Sequence, residues 1–268
     1  MAGGLLCLAW LWLGMAAGWA ACDGCTNFQA GASWGTVSVG ALTEASGLAA
    51  SARNPGVLWT HNDGSREKLF ALSTSGALLA SFNLNKNVDD VEDMAIGPGP
   101  VNGVSYLYVG DIGGNAGSDT TRDQVRILRV AEPVVEAAWA SDPKSGDFAG
   151  VDTITLSYPD GSYNAETLMV DSQTGDVFVA TKEPGAARIY RANILTATNK
   201  ATLTLEFVRS VPFNLASGGD ISADGSQIVL RQENFAQLWT RCEGESVAEA
   251  LGGAGVMIPV IGTPDEPN

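Results

Sequence analysis

The chain has one histidine, His61, among 268 residues. A zinc, copper or iron site built on several imidazoles is therefore excluded. Basic residues are also scarce: 15 Lys and Arg stand against 30 Asp and Glu, for a net charge of -15. Such a surface repels phosphate backbones and anionic bilayers, which argues against a nucleic-acid partner and favours cations or neutral ligands. An acidic surface on an exported protein also serves simply to keep it in solution. There are 4 cysteines, and the pair Cys22 and Cys25 has no second Cys or His pair with which to complete a zinc site. Beyond the N-terminal apolar run, Cys22, Cys25 and Cys242 remain. Two of them pair in an oxidising compartment, or the thiols stay unpaired. No N-x-S/T sequon follows that run.

Only one apolar stretch is long. Met1 to Ala21 has Trp10, Leu11, Trp12 and Leu13 at its centre and small residues toward its end. It reads as a secretory signal with Gly18 and Ala20 at the cleavage site, which makes the protein secreted, periplasmic or cell-surface bound. The run has no Lys or Arg ahead of it, so an uncleaved anchor is the alternative. Lipidation at Cys22 fits less well, because Trp19 stands where a Leu is expected.

The rest of the chain is rich in turn formers, with 32 glycines and 11 prolines, and its apolar fraction of 45% suffices for a core. Short Val-, Thr- and Leu-containing runs between those turns predict many strands and little helix. After a polar lead-in (22–35), the sequence GTVSVG from Gly35 alternates like a strand. From there one pattern recurs four times. An acid opens a half-apolar strand at Glu44, Glu92, Glu166 and Asp220, and a glycine-bearing turn follows each. A more apolar strand comes next (VLWTHND, YLYVGDI, VFVATKE, IVLRQEN), then a third (KLFALST, QVRILRV, RIYRANI, AQLWTRC). A fourth is expected as LLASFNL, TITLSYP, LTLEFV and VMIPVI.

Four-stranded antiparallel units repeating at about fifty residues predict an all-β β-propeller, with blades near 44–84, 92–159, 166–213 and 220–261. A β-sandwich of similar strands is the competing fold. The chain stops where a fifth blade would begin, so that blade is missing or truncated, or four blades close on themselves. Thr36 to Val39 is the expected closing strand.

The combination EASGLA, LWTHNDG, DVEDMA, YVGDIGGN, NAET, TKEP and GGDISADG resembles a family of largely uncharacterised secreted bacterial β-propeller proteins, over roughly Leu42 to Trp239. More distantly, the acid opening each repeat is similar to regucalcin- and gluconolactonase-like propellers, and that resemblance implies a divalent metal. Those propellers use Asn where this chain has Glu92 and Glu166, so their ligand set does not carry over.

In a propeller the start of each first strand and the end of each second strand share a face. That face is expected to gather Glu44, Glu92, Asp93, Glu166 and Asp220 as metal candidates. From strand ends it adds His61, Asn62, Asp63, Asp111, Lys182 and Arg231 as ligand-binding candidates, with Glu183 and Glu233 beside them. Converging carboxylates are costly unless protonated, paired or metal-bound, and calcium, with six to eight oxygen ligands, is the best-matched cofactor. The competing assignment has these acids bonding backbone N–H groups and pairing with Lys182 and Arg231. Asp89 and Asp90 read as solvated surface. Trp59, Tyr106, Tyr108, Phe178 and Trp239 read as core between blades.

Gly31-Ala32-Ser33-Trp34-Gly35 matches G-x-S-x-G but lacks the strand before and the helix after that a nucleophile elbow requires. The expected role is binding a small molecule, glycan or surface protein on an acidic face, with calcium. The alternative is a metal- or carboxylate-dependent hydrolase of glycoside, lactone or phosphoester substrates.

Overall fold

A computed structural model describes residue 28 and residues 31–114 and 121–260. The apolar run, Cys22 and Cys25 lie outside the described residues, as does the end of the VMIPVI segment. No helix among the described residues is long and apolar enough to cross a membrane.

The fold is a β-propeller, with four blades among the described residues. Blade 1 is the meander β1 (Ala45–Ala50), β2 (Val57–Asn62), β3 (Lys68–Ser73) and β4 (Leu78–Asn83). Blade 2 runs β5 (Val91–Pro98), β6 (Ser105–Asp111) and β7 (Gln124–Ala131). The chain then sends β8 (Lys144–Asp147) back to lie parallel to β4, before β9 (Asp152–Ser157) completes blade 2. Blade 3 is β10 (Ala165–Val170), β11 (Asp176–Thr181) and β12 (Ala187–Asn193), closed by β14 (Glu206–Val211) after a short β13 (Thr202–Thr204). Blade 4 is β15 (Gly218–Ile221), β16 (Gln227–Arg231), β17 (Phe235–Thr240) and β18 (Val256–Pro259), with one turn of helix, α1 (Val247–Ala250), ahead of its last strand.

The first hairpin of every blade turns on a glycine with positive φ: Gly56 at 78°, Gly103 at 76°, Gly175 at 72° and Gly225 at 74°. A residue with a Cβ is strained there, which explains why the same turn chemistry recurs in all four repeats.

Side chains alternating off these strands fill the three interfaces between successive blades. Trp59, Leu69 and Leu79 meet Met94, Leu107 and Val109 between blades 1 and 2. Tyr108, Ile127 and Ile154 meet Leu168, Val179 and Tyr190 between blades 2 and 3. Met169, Phe178 and Ile189 meet Ile228, Leu230 and Trp239 between blades 3 and 4. The five aromatics expected in the core are all buried. Glu132, at 1% exposure, joins blade 2 to blade 1 by accepting hydrogen bonds from Trp59 Nε1 (2.9 Å), Ser51 and the Arg53 N–H.

Two strand expectations are corrected. Thr36 to Val39 is not a strand: residues 31–39 run as coil over the turn at Ser75 and Gly76. It lies against that turn of blade 1 and does not pair with the last blade, whose described strands are β15 to β18. LTLEFV is likewise not one strand. It splits at Leu205, β13 pairing parallel with β9 of blade 2 and β14 closing blade 3.

The inner strands pack in series, β1 on β5, β5 on β10 and β10 on β15. Between β1 and β15 lies a cleft of about 480 Å³, lined by residues that include Leu48, Asp220, Val229 and Arg231.

Candidate functional site

Three of the four inner hairpins contain a β-bulge, and the bulge decides where the acids point. In blade 2, Val91 pairs with Asp111 and Asp93 with Gly110, so Glu92 is the extra residue. In blade 3, Ala165 pairs with Thr181 and Thr167 with Ala180, so Glu166 is the extra residue. A bulged residue leaves the ladder and is re-aimed, a device frequent beside functional sites. Glu92 and Glu166 are thus structural equivalents. Asp220 is not: it pairs with Val229 in an unbroken ladder, and its carboxylate accepts the N–H of the next residue, Ile221 (2.8 Å). That matches Asp93, which accepts the N–H of Met94 at 2.8 Å.

Around the bulge of blade 2 the structure gathers Asp63, Asp90 and Glu92, each offering a carboxylate oxygen, all within 4.8 Å of one another. Asp63 follows β2, Asp90 precedes β5, and Glu92 lies in β5. Asp90 is held through its main chain: its N–H donates to Asp111 Oδ1 (2.9 Å), and its carbonyl accepts from Gly113 (3.2 Å). Gly113 leaves room for these carboxylates: a Cβ there would sit 2.3 Å from Glu92 Oε1 and 2.4 Å from Asp90 Oδ2, so both side chains would have to move. Glu166 neighbours the group and is paired with Lys182 Nζ at 2.6 Å.

The cluster is electrostatically strained. Burial, then the charges of Glu166, Asp63 and Asp90, push Glu92 up to about 9, with Lys182 opposing. Burial is also the leading cause of the upward shifts at Asp63, Asp90 and Glu166. Such a group holds a proton or a cation near neutral pH, because crowded carboxylates do not stay ionised together without compensation. Of the three acids Asp63 also lines a cavity of about 600 Å³, together with Glu44, Ser46, Thr43, Val37 and Leu42.

The remaining residues named from the sequence lie elsewhere. Glu44 is exposed and paired with Arg66 at 2.8 Å. Asn62 fastens the chain entering β1, its Oδ1 accepting the Thr43 and Glu44 N–H groups and its Nδ2 donating to the Ala41 carbonyl. His61 is fully buried, with Nδ1 2.8 Å from the Asn62 carbonyl, and burial lowers it to about 4. Its Nε2 lies against Gly47, where a Cβ would come within 2.6 Å. Asp93 is buried between blades and accepts the Leu168 N–H at 2.9 Å; burial raises it well above the carboxylate range. Asp111 is enclosed by Arg122 (3.1 Å) and Arg126 (2.6 Å). Glu183 pairs with Arg188 at 3.1 Å, while Glu233 is exposed. Asp220, raised by burial to about 6, and exposed Arg231 line the cleft of blade 4.

Asp90 was missed, since it reads as one more residue of a solvated acidic run. The available signal was Val91: a buried apolar residue directly after Asp90 ties it to the strand as firmly as Met94 ties Asp93. Gly113 carried no such signal. Ser33, the centre of the G-x-S-x-G match, is exposed in coil and donates to the Gly35 carbonyl (3.2 Å).

No family model matches the chain, and no curated protein matches it. Among solved structures it is similar to an auxiliary nutrient binding protein from Bacteroides thetaiotaomicron, with 7% identity and a TM-score of 0.45 over 75% of this chain and 39% of that one. It is also similar to a putative phosphatase from the same organism, with 12% identity and a TM-score of 0.46 over 81% of this chain and 45% of that one. A gluconolactonase from Xanthomonas campestris aligns at 15% identity and a TM-score of 0.43, over 82% of this chain and 63% of that one. The chain spans less than two thirds of the length of each.

Proposed function

We propose that this propeller binds a divalent cation at Asp63, Asp90 and Glu92, and that the cation presents a small ligand in the adjoining cavity. The observation that carries the reading is the convergence of three carboxylates within 4.8 Å. All three donors are oxygens, a set suited to a hard cation, and calcium tolerates irregular geometry better than magnesium does. Gly113 supports the reading, because its missing side chain leaves the inner oxygens uncovered. Glu166 adds its negative charge beside Glu92 and is itself held by Lys182. The protein acts as an exported binder in this reading, supported by the signal-like run of residues 1–21 and by the disulfide at Cys242.

The test is a calcium titration followed by thermal melting, with magnesium as control. A ligand that binds only the folded state stabilises it by about 2.7 kcal/mol at a hundredfold excess over Kd. A melting temperature that does not move at millimolar calcium, in folded protein, overturns the reading. A second reading, hydrolysis of a lactone, glycoside or phosphoester, is favoured by Glu92, which stays protonated at neutral pH beside other carboxylates. Turnover of such a substrate, lost in Glu92→Gln with melting unchanged, would replace the binder with the enzyme.

A further inference from the structure

We infer that the cleft between blades 1 and 4 is a second ligand site, which takes a zwitterionic α-amino acid with a short apolar side chain. The inner strands of successive blades pack on one another, whereas β1 and β15 leave about 480 Å³ between them. That volume falls in the roughly 300–1,000 Å³ range of small-molecule pockets. The face that blade 4 turns to the cleft follows from its register. Asp220 pairs with Val229, Gly218 with Arg231, and Arg231 with Ala236. Residues directly opposite one another, and residues two apart on one strand, share a face, so Asp220, Val229, Arg231 and Ala236 stand on the same side of the sheet. All four line the cleft, as do Ser46 and Leu48 of β1.

This face carries one charge of each sign, and the two do not pair. Asp220 and Arg231 are diagonal neighbours on the ladder, with about 7–8 Å between their positions. Among the described residues the Arg231 guanidinium has no partner, and the Asp220 carboxylate accepts only the Ile221 N–H (2.8 Å). Burial raises Asp220, so an ammonium seated beside it supplies a counter-charge that no described residue provides. Asp93, which feels the charge of Asp220, is already taken up by the N–H groups of Met94 and Leu168. Ser46 Oγ donates to the Glu92 carbonyl at 2.6 Å, which leaves its lone pairs for an N–H of the same ammonium. A carboxylate on the ligand meets the planar fork of Arg231. Val229, Ala236 and Leu48, the last 57% exposed, give an apolar side chain its contact. A simple cation would face Arg231 and a simple anion would face Asp220, so a molecule that carries both charges suits the face better than either. The site uses none of the carboxylates of Asp63, Asp90 and Glu92 and needs no bound cation.

Calorimetric titration of the full chain with L-valine, in chelator, tests the site against two analogues: isobutylamine, which lacks the carboxylate, and isovalerate, which lacks the ammonium. Valine is expected to bind saturably and at least tenfold more tightly than either analogue. Arg231→Gln is expected to weaken valine binding at least tenfold without weakening that of isobutylamine. Asp220→Asn is expected to weaken valine binding by as much without weakening that of isovalerate. Arg231 is exposed, so its variant is expected to fold; the analogue series on the wild type decides if Asp220→Asn does not. No binding at millimolar valine, an analogue that binds as well as valine, or valine binding that survives both substitutions would each overturn the assignment.

Discussion

Blades 2 and 4 have the same order of strands, the same hairpin glycine and an acid near the start of the inner strand, yet they use that acid differently. In blade 2 a bulge throws Glu92 out of the ladder toward Asp63 and Asp90, while Asp93 stays in line and is buried between blades. In blade 4 the ladder is regular, and Asp220 takes the place of Asp93 with nothing in the place of Glu92 but Gly219. One extra residue in a strand thus separates a carboxylate that faces other carboxylates from one that satisfies its own backbone. The blade 2 arrangement needs a clasp, which Asp111 provides by holding the Asp90 N–H while Arg122 and Arg126 neutralise it. The second strand of blade 4 ends instead on exposed Arg231.

The largest difference between the two blades is expected from removing that clasp. Arg122→Leu leaves Asp111, at 0% exposure, with Arg126 as its remaining cation and also removes the donors to the Asp111 and Gly113 carbonyls, so the cost is expected near the low end of the about 3–5 kcal/mol for breaking a buried pair. Arg231→Leu, at an exposed position, is expected to change stability by less than about 0.5 kcal/mol. Urea unfolding of the two variants measures both. Equal losses would show that the strand ends of blades 2 and 4 carry equal loads.

Next in size is the effect of cation. Glu92→Gln is expected to abolish calcium-dependent stabilisation, about 2.7 kcal/mol at a hundredfold excess over Kd, while Asp220→Asn leaves it intact. Gly113→Ala acts as Glu92→Gln does, since its Cβ would displace the carboxylate oxygens. Melting curves with calcium and with chelator separate the two. Loss of the calcium effect in Asp220→Asn would place the site in the cleft of blade 4.

A smaller contrast lies in the pH dependence. Asp220 is raised to about 6 from an ordinary 3.8, so it stabilises the fold at low pH and loses that contribution as pH rises through this window. His61, lowered to about 4 from 6.5, acts in the opposite sense, and its contribution is lost as pH falls from 6.5 to 4. The two oppose each other between about pH 4 and 6. Asp220→Asn removes one of them, so the variant is expected to lose stability more steeply than the wild type on acidification. In chelator, Glu92 adds a decline in stability as pH rises toward 9, which Glu92→Gln flattens. Chemical unfolding at stepped pH reads all three.

The three inner strands of each blade were legible because alternating apolar residues and a hairpin glycine are local signals, as at YLYVGDI after Gly103. The bulges were not legible, since a bulge is a relation between two strands and neither strand's own pattern encodes it. Aligning the repeats by their opening acids therefore set Asp220 beside Glu92, whereas the ladder sets it beside Asp93. The exchange of roles between Asp90 and Asp111 has a similar origin: Asp111 is neutralised by Arg122, which stands 11 residues further along the chain. The parallel edge strands β8 and β13 escaped notice for another reason. KSGD and TLT are too short and too polar to show alternation, and only the exposed edges of β4 and β9 give them a partner.

Among the acids that open the repeats the smallest expected effect belongs to Glu44, which the sequence pattern ranks with Glu92. Its carboxylate is 60% exposed and its ion pair with Arg66 is a surface one, so Glu44→Ala is expected to cost less than about 1 kcal/mol. Because the bulge of blade 1 falls after Ala45, the chain there offers Ser46 and Gly47 where blade 2 offers Glu92 and Asp93. Blade 1 contributes instead just after its second strand, through Asp63. Asp63→Asn is therefore expected to weaken calcium stabilisation where Glu44→Ala leaves it unchanged. Equal weakening by both, in melts at matched calcium, would mean that the acid opening the repeat, and not the geometry of the bulge, defines the site.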